Sequence, residues 1–124
     1  MPSHHQHIGS LAEDIVAQWL QDSGLKIVMR NHHTRYGELD IVARDAAGVL
    51  HIIEVKARRN DSFGLAASAL TRTKFRRLVQ SVQVAQQVGH LPYSRLQYDF
   101  AAVYITPSSV TIDWFWNIGW DDFS

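Results

Sequence analysis

The sequence predicts a single α/β domain, a mixed central sheet flanked by helices in the order αβββαββ. Three observations carry that expectation. Two stretches with helical apolar spacing, about residues 10–23 and 71–88, alternate with β-rich runs, three between them and two after. The 124 residues, 46% hydrophobic, suit one compact domain and leave little room for a second. The second helix lies between the third and fourth strands, where it can cross over and bring those two strands parallel.

Residues 1–8, MPSHHQHI, hold three histidines without apolar periodicity and read as a flexible tail, leaving 9–124 as the folded domain. Ser10 and Glu13 have the spacing of a capping box, after which Ala12, Ile15, Val16, Trp19 and Leu20 recur helically up to Gly24. LKIVMRN (25–31), YGELDIVAR (36–44) and GVLHIIEVKAR (48–58) follow as strands, the last two joined by the turn Asp45-Ala46-Ala47-Gly48. RRNDSFG (58–64) reads as a loop. Phe75, Leu78, Val79, Val82 and Ala85 mark the second helix, which Gly89 and Pro92 stop. LQYDFAAVYIT (96–106) is a strand with an apolar centre. After the Pro107-Ser108-Ser109 turn, VTIDWFW (110–116) alternates, with Val110, Ile112, Trp114 and Trp116 on one side.

The chain has no cysteine, which excludes disulfides, thiolate zinc sites and a cysteine nucleophile. No apolar run approaches the roughly 20 residues that span a bilayer, and the N-terminus lacks the features of a signal peptide. A cytoplasmic protein without a membrane partner is the expectation. Net charge is zero, yet it is polarised: residues 56–77 carry +6 and each flank carries −3. Lys56, Arg58, Arg59, Arg72, Lys74, Arg76 and Arg77 supply that positive segment, either as a solvated helix face or as a surface that tracks phosphates.

Charge also stands inside the strand hairpin. Strand alternation puts Glu38, Asp40 and Val42 on one side and Leu39, Ile41 and Ala43 on the other, while Glu54 and Lys56 share a face of the next strand. Pairing Asp40 beside Glu54 would bring two carboxylates and an ammonium together. Asp40, Glu54 and the backbone carbonyl of Val55 are then candidate ligands for Mg²⁺ or Mn²⁺, and Lys56 can position or deprotonate an attacking water. The competing reading is a set of cross-strand ion pairs on a solvated face. Ile52, Ile53 and Val55 around Glu54 weigh against it, since an interior strand rarely carries unpaired charge.

GELD, IIEVKAR, the preceding GSLAEDIVAQWL and a strand ending RN, then TKFRRL and QYDFAAVYI, resemble the YraN-like family of uncharacterised small bacterial proteins. That family is similar to the PD-(D/E)XK nuclease superfamily, nearest in pattern to archaeal Holliday-junction resolvases. The resemblance spans about residues 9–112 and implies a restriction-endonuclease-like core. It places Asp40 at the motif aspartate, Glu54 and Lys56 at the E-x-K, Glu13 at a first-helix glutamate and Lys74 at a phosphate-contacting lysine. Asp99 matches a family aspartate of unassigned role, and Leu39 stands where the superfamily has proline. Glu38 is an additional candidate, as metal or water ligand or as partner of Arg58. Histidines 32, 33, 51 and 90 match nothing catalytic, and structural or surface roles are expected for them.

The expected function is a metal-dependent endonuclease acting on DNA, in preference to RNA, with branched or structured DNA as substrate. The alternative is a non-catalytic nucleic-acid-binding or adaptor module on the same fold. The aromatic C-terminus, Trp114 to Phe123, supplies core packing at Trp114 and Trp116, with the excess serving as a homodimer contact or a base-stacking surface; a weaker third reading, a structural interaction domain, rests on it as well.

Overall fold

The computed structural model describes residues 4–59 and 70–123, with side chains for 8–58 and 70–123. Helix α1 (His4–Asp22) leads into strands β1 (Lys26–Thr34), β2 (Gly37–Arg44) and β3 (Leu50–Arg59). Helix α2 (Arg72–Gln87) then connects to β4 (Leu96–Ile105) and β5 (Val110–Phe115), and a single 3-10 turn (Trp120–Asp122) follows. The five strands lie in sequence order, antiparallel except for the β3–β4 pair, which is parallel. This is the expected α/β order with a mixed sheet, the arrangement of a restriction-endonuclease-like core.

The helices cover opposite faces. Ala12, Val16, Ala17 and Leu20 of α1 pack on Ile41, Ala43, Ile53, Val55, Ala101 and Val103. Leu78, Val82 and Ala85 of α2 pack on Leu39, Val42, Leu50 and Ile52. Consecutive β3 residues therefore divide between the layers, Ile52 toward α2 and Ile53 and Val55 toward α1. That alternation assigns Glu54 and Lys56 to the α2 side before any site chemistry is considered.

Two sequence expectations are corrected. The first helix starts at His4, not near residue 10, so His4–Ile8 continue it and only residues 1–3 of the expected tail lie outside the described residues. Ser10 is consequently interior to a helix and cannot act as its cap. The second correction concerns Leu39, which joins the α2-side cluster although Ile41 and Ala43 join the α1 side. Strict alternation fails between Leu39 and Ile41, opposite Asn31 of β1, which stands at a positive φ of 53°; the β1–β2 register keeps its offset from Arg30↔Ile41 to His32↔Leu39, its shift lying instead between Ile27 and Met29.

The second helix is close to its expected span. Thr71 caps it by accepting the Lys74 amide proton at 3.2 Å. Ser81, not Val79, completes its buried stripe, because the Ser81 hydroxyl is hydrogen-bonded to Thr34 Oγ1 at 2.8 Å. Residues 60–64 of the expected loop lie outside the described residues. In β5, Ile112 and Trp114 pack against the α1-side core, whereas Val110 and, just past the strand, Trp116 are exposed, so the expected core packing holds for Trp114 and not for Trp116.

Both helices end in a glycine at positive φ, Gly24 at 93° and Gly89 at 84°. Leu25 N–H returns to Leu20 O at 2.9 Å and His90 N–H to Ala85 O at 2.8 Å, closing carbonyls the helices would otherwise leave open. Space around Gly89 is open, so a side chain there would cost only backbone strain. Gly89→Ala is expected to lower unfolding free energy by about 1–2 kcal/mol, read as a lower denaturation midpoint at unchanged slope.

Candidate active site

The β2–β3 hairpin assembles the centre of the site. Its ladder runs from Arg44↔Leu50 to Ile41↔Ile53, and one residue further Asp40 lies beside Glu54. There the Asp40 side chain takes over from the backbone: its Oδ2 accepts the Val55 N–H at 2.9 Å. In an antiparallel pair the N–H and C=O of one residue point to the same neighbour, so the Val55 carbonyl is also turned toward β2. The three expected oxygen donors, Asp40, Glu54 and Val55 C=O, thus share one location. Among the described residues no three His, Asp, Glu or Cys side chains converge closely enough to hold an ion on their own. A carbonyl and water ligands would have to complete the shell, as Mg²⁺ commonly accepts.

The electrostatics follow from burial. Asp40 is 9% exposed, and burial pushes its pKa up to about 6, helped by the Glu38 charge and opposed by the Val55 N–H, Lys56 and a hydrogen bond to Glu54. Glu54 rises further, to about 8, through burial and the Asp40 charge, with Lys56 and Lys74 opposing. Glu13 on α1 rises to about 7 through burial, then Asp40 and Glu38, against Arg30 and Asn31. Three carboxyls thus resist simultaneous ionisation in one region. A divalent cation is the kind of partner that would relieve them, so the donor set fits the metal expected from the sequence.

Asn31 links the acids. With its amide oriented to donate, its nitrogen lies 2.6 Å from Glu13 Oε1 and 2.8 Å from Glu38 Oε1. In the sequence it stands only as the end of the strand motif RN, with no role assigned, and asparagine's tolerance of the left-handed region is the physical signal it carries. Glu13, which cannot serve a capping box, instead faces this asparagine. Glu38, for which a ligand role or a pairing with Arg58 stood open, is engaged by Asn31 and by His33 Nε2 at 3.9 Å. Arg58 Nη1 donates to the neighbouring Ala57 O.

The basic segment is divided. Lys56, Lys74 and Arg77 line an open cavity of about 310 Å³ together with Glu38, Glu54 and Tyr36. Arg72 is directed away from it: its Nη1 donates to Phe123 O at 2.9 Å and its guanidinium lies 5.4 Å from the Trp120 ring centroid. Arg72 therefore staples the C-terminal turn, contrary to its expected place among the phosphate contacts. Arg76 is exposed on α2, and the Arg59 side chain lies outside the described residues.

His51 points away from Glu54, as strand parity requires, and is buried between two acids. Its Nδ1 is 2.8 Å from Asp99 Oδ2 and its Nε2 2.9 Å from Asp45 Oδ2. Asp99 also accepts from Gln97 Nε2 and from the Asn117 N–H, both at 2.9 Å, so this aspartate ties β4 to the chain beyond β5. Burial disfavours the imidazolium, but the two carboxylates outweigh it and the His51 pKa is raised. His32 and His90 face each other at the surface, 3.4 Å apart.

These shifts set a pH dependence. Carboxyls whose folded pKa exceeds the unfolded value, and a histidine raised likewise, bind more protons when folded, so stability falls as pH rises. Metal-free protein is expected to lose stability between about pH 5 and 8, from the Asp40, Glu13 and Glu54 values of about 6, 7 and 8. In denaturation series across that range, Glu54→Gln should flatten the decline, and excess Mg²⁺ or Mn²⁺ should offset it in the wild type only.

Over residues 12–103 the chain matches the family described as Uncharacterised protein family UPF0102. It is 40% identical over 104 residues to a UPF0102 protein of Nocardia farcinica, covering 82% of this chain and 80% of the relative. A UPF0102 protein of Mycolicibacterium vanbaalenii is 48% identical over 85 residues, 67% of this chain and 69% of the relative. One from Vibrio campbellii is 35% identical over 112 residues, covering 90% and 91%. The matched span runs from Ala12 on α1 to Val103 on β4 and contains every acid of the candidate site, and the chain belongs to the UPF0102 family.

Proposed function

We propose that the protein is a metal-dependent endonuclease that hydrolyses phosphodiester bonds in DNA. One observation carries the reading: a buried aspartate and a half-buried glutamate on adjacent strands, the glutamate and Lys56, two residues on, lining a cleft with Lys74 and Arg77. An ion-pair interpretation explains this poorly. Surface pairs leave carboxylates near their ordinary pKa, whereas Asp40 and Glu54 are pushed to about 6 and 8 and lack cationic partners strong enough to reverse it.

Asp40, Glu54 and the Val55 carbonyl would hold Mg²⁺ or Mn²⁺. The ion would polarise the phosphodiester and offset the negative charge that builds on it during attack. Lys56 shares the face of Glu54, where its ammonium can donate to the attacking water and hold it in line. Lys74 and Arg77 bind the flanking phosphates, and Asn31 orients Glu13 toward the acidic centre. No described helix is long and apolar enough to cross a membrane.

The reading is tested by incubating the protein with single-stranded, duplex, flap and four-way DNA, with Mg²⁺, Mn²⁺ or chelator. Cleavage is expected with either metal and is expected to fall by about 10²–10⁴-fold in Asp40→Ala, Glu54→Ala and Lys56→Ala. Cleavage that survives in all three variants overturns the site; binding without cleavage in every condition favours the adaptor alternative. Lys74→Ala and Arg77→Ala should each reduce the salt dependence of DNA binding by about one counterion. Arg72→Ala should instead leave that slope unchanged and lower thermal stability.

A further inference from the structure

On the α2 side of the sheet one cross-strand row runs through three strands. Glu54 is paired with Phe100, and Phe100 with Phe115. The row changes from a carboxylate to phenyl rings between β3 and β4. A second cavity of about 370 Å³ opens over its phenyl end, lined by Phe100, Phe115, Ile118 and Phe123. Leu70 and Phe100 line both cavities, so the acidic and aromatic cavities adjoin at these two residues.

The aromatic end is built and accessible. Phe100 is buried as its floor, while Phe115 is 39% exposed with its ring centroid 5.8 Å from that of Phe100. Phe123 is held by stacking on Phe75 at 5.2 Å. Among the described lining residues the acid is Asp122, whose carboxylate is engaged by the Gly119 N–H at 2.8 Å. A ligand that spans both cavities would present an anion to Lys56, Lys74 and Arg77 and a flat apolar face to Phe115. A nucleic-acid strand does both.

We infer that the Phe115 cavity takes an unpaired nucleobase next to the phosphodiester that lies over Glu54, which makes the substrate a strand with unpaired nucleotides. The inference rests on the nuclease reading for the identity of the anion end and goes beyond it in substrate structure. Strands about 4.8 Å apart put Phe115 roughly 10 Å from Glu54, so the captured base belongs to a nucleotide beside the scissile bond. In continuous duplex both faces of a base are covered by its neighbours. Only a base outside the stack can lay its face on Phe115.

The test measures binding of the whole protein in chelator, by fluorescence anisotropy, to a labelled single strand, the same strand lacking its bases at the centre, and the duplex. Preference for the intact single strand is expected, with roughly tenfold weaker single-strand binding in Phe115→Leu and retention in Phe115→Tyr. Leucine keeps apolar bulk, so a packing role would not produce that difference. Equal affinity for duplex and single strand, or unchanged single-strand affinity in Phe115→Leu, overturns the inference. Dimerisation abolished by Phe115→Leu, with no strand preference, assigns the pocket to a second copy and overturns it as well. Single-strand preference without cleavage under Mg²⁺ or Mn²⁺ supports the base pocket and sinks the nuclease reading.

Discussion

The site depends on one hydrogen bond, from the Val55 amide to the Asp40 carboxylate. It forms where the β2–β3 ladder gives out, so a side chain does the work of a backbone carbonyl and holds the strands together as they separate. That substitution draws Asp40 to the edge of β3 and turns the Val55 carbonyl to the same side. It also explains how an aspartate comes to be buried in an otherwise apolar strand: its charge answers an amide that would be unsatisfied without it. Apolar packing of Ile53 and Val55 on α1 fixes the face of Glu54 independently. The candidate centre is the meeting of these two constraints.

Clustered acids oppose folding in the absence of a cation, and the fold tolerates them by distributing the load. Asn31 bridges Glu13 and Glu38, while Lys56 and Lys74 lower the cost of ionising Glu54. The stabilising polar network lies elsewhere. His51, Asp45 and Asp99 tie the β2–β3 turn, β3, β4 and the residues after β5 into one unit on the α1 side of the sheet. Trp114 and Trp116 stack at 4.5 Å, and Trp19 of α1 lies 4.7 Å from Trp114 at the margin of that layer. One face is thereby held firmly, and the other is open to chemistry.

Much of this was readable from periodicity. The element order, the hairpin turn and the separation of Glu54 from His51 follow from alternation and turn residues alone. Three features were not. The first helix extends back to His4, which no apolar spacing signals, and the extension removes Ser10 from the capping role that local spacing suggested. Leu39 departs from its parity at a break between Leu39 and Ile41, opposite Asn31 on the neighbouring strand. Arg72 belongs to a run of cations in sequence, yet it lies within reach of the Phe123 carbonyl, a contact between residues 51 positions apart.

The sequence by itself determined which residues alternate with which, and therefore that Glu54 and Lys56 share a face opposite Ile53 and Val55. Only the tertiary structure decided which distant groups that face would meet: Asn31 between two glutamates, Lys74 and Arg77 across the cleft, and the phenyl row beyond Glu54. The physical reason is range. Alternation is a local property of the backbone, whereas burial, pKa and cavity shape depend on groups that only packing brings within a few ångströms.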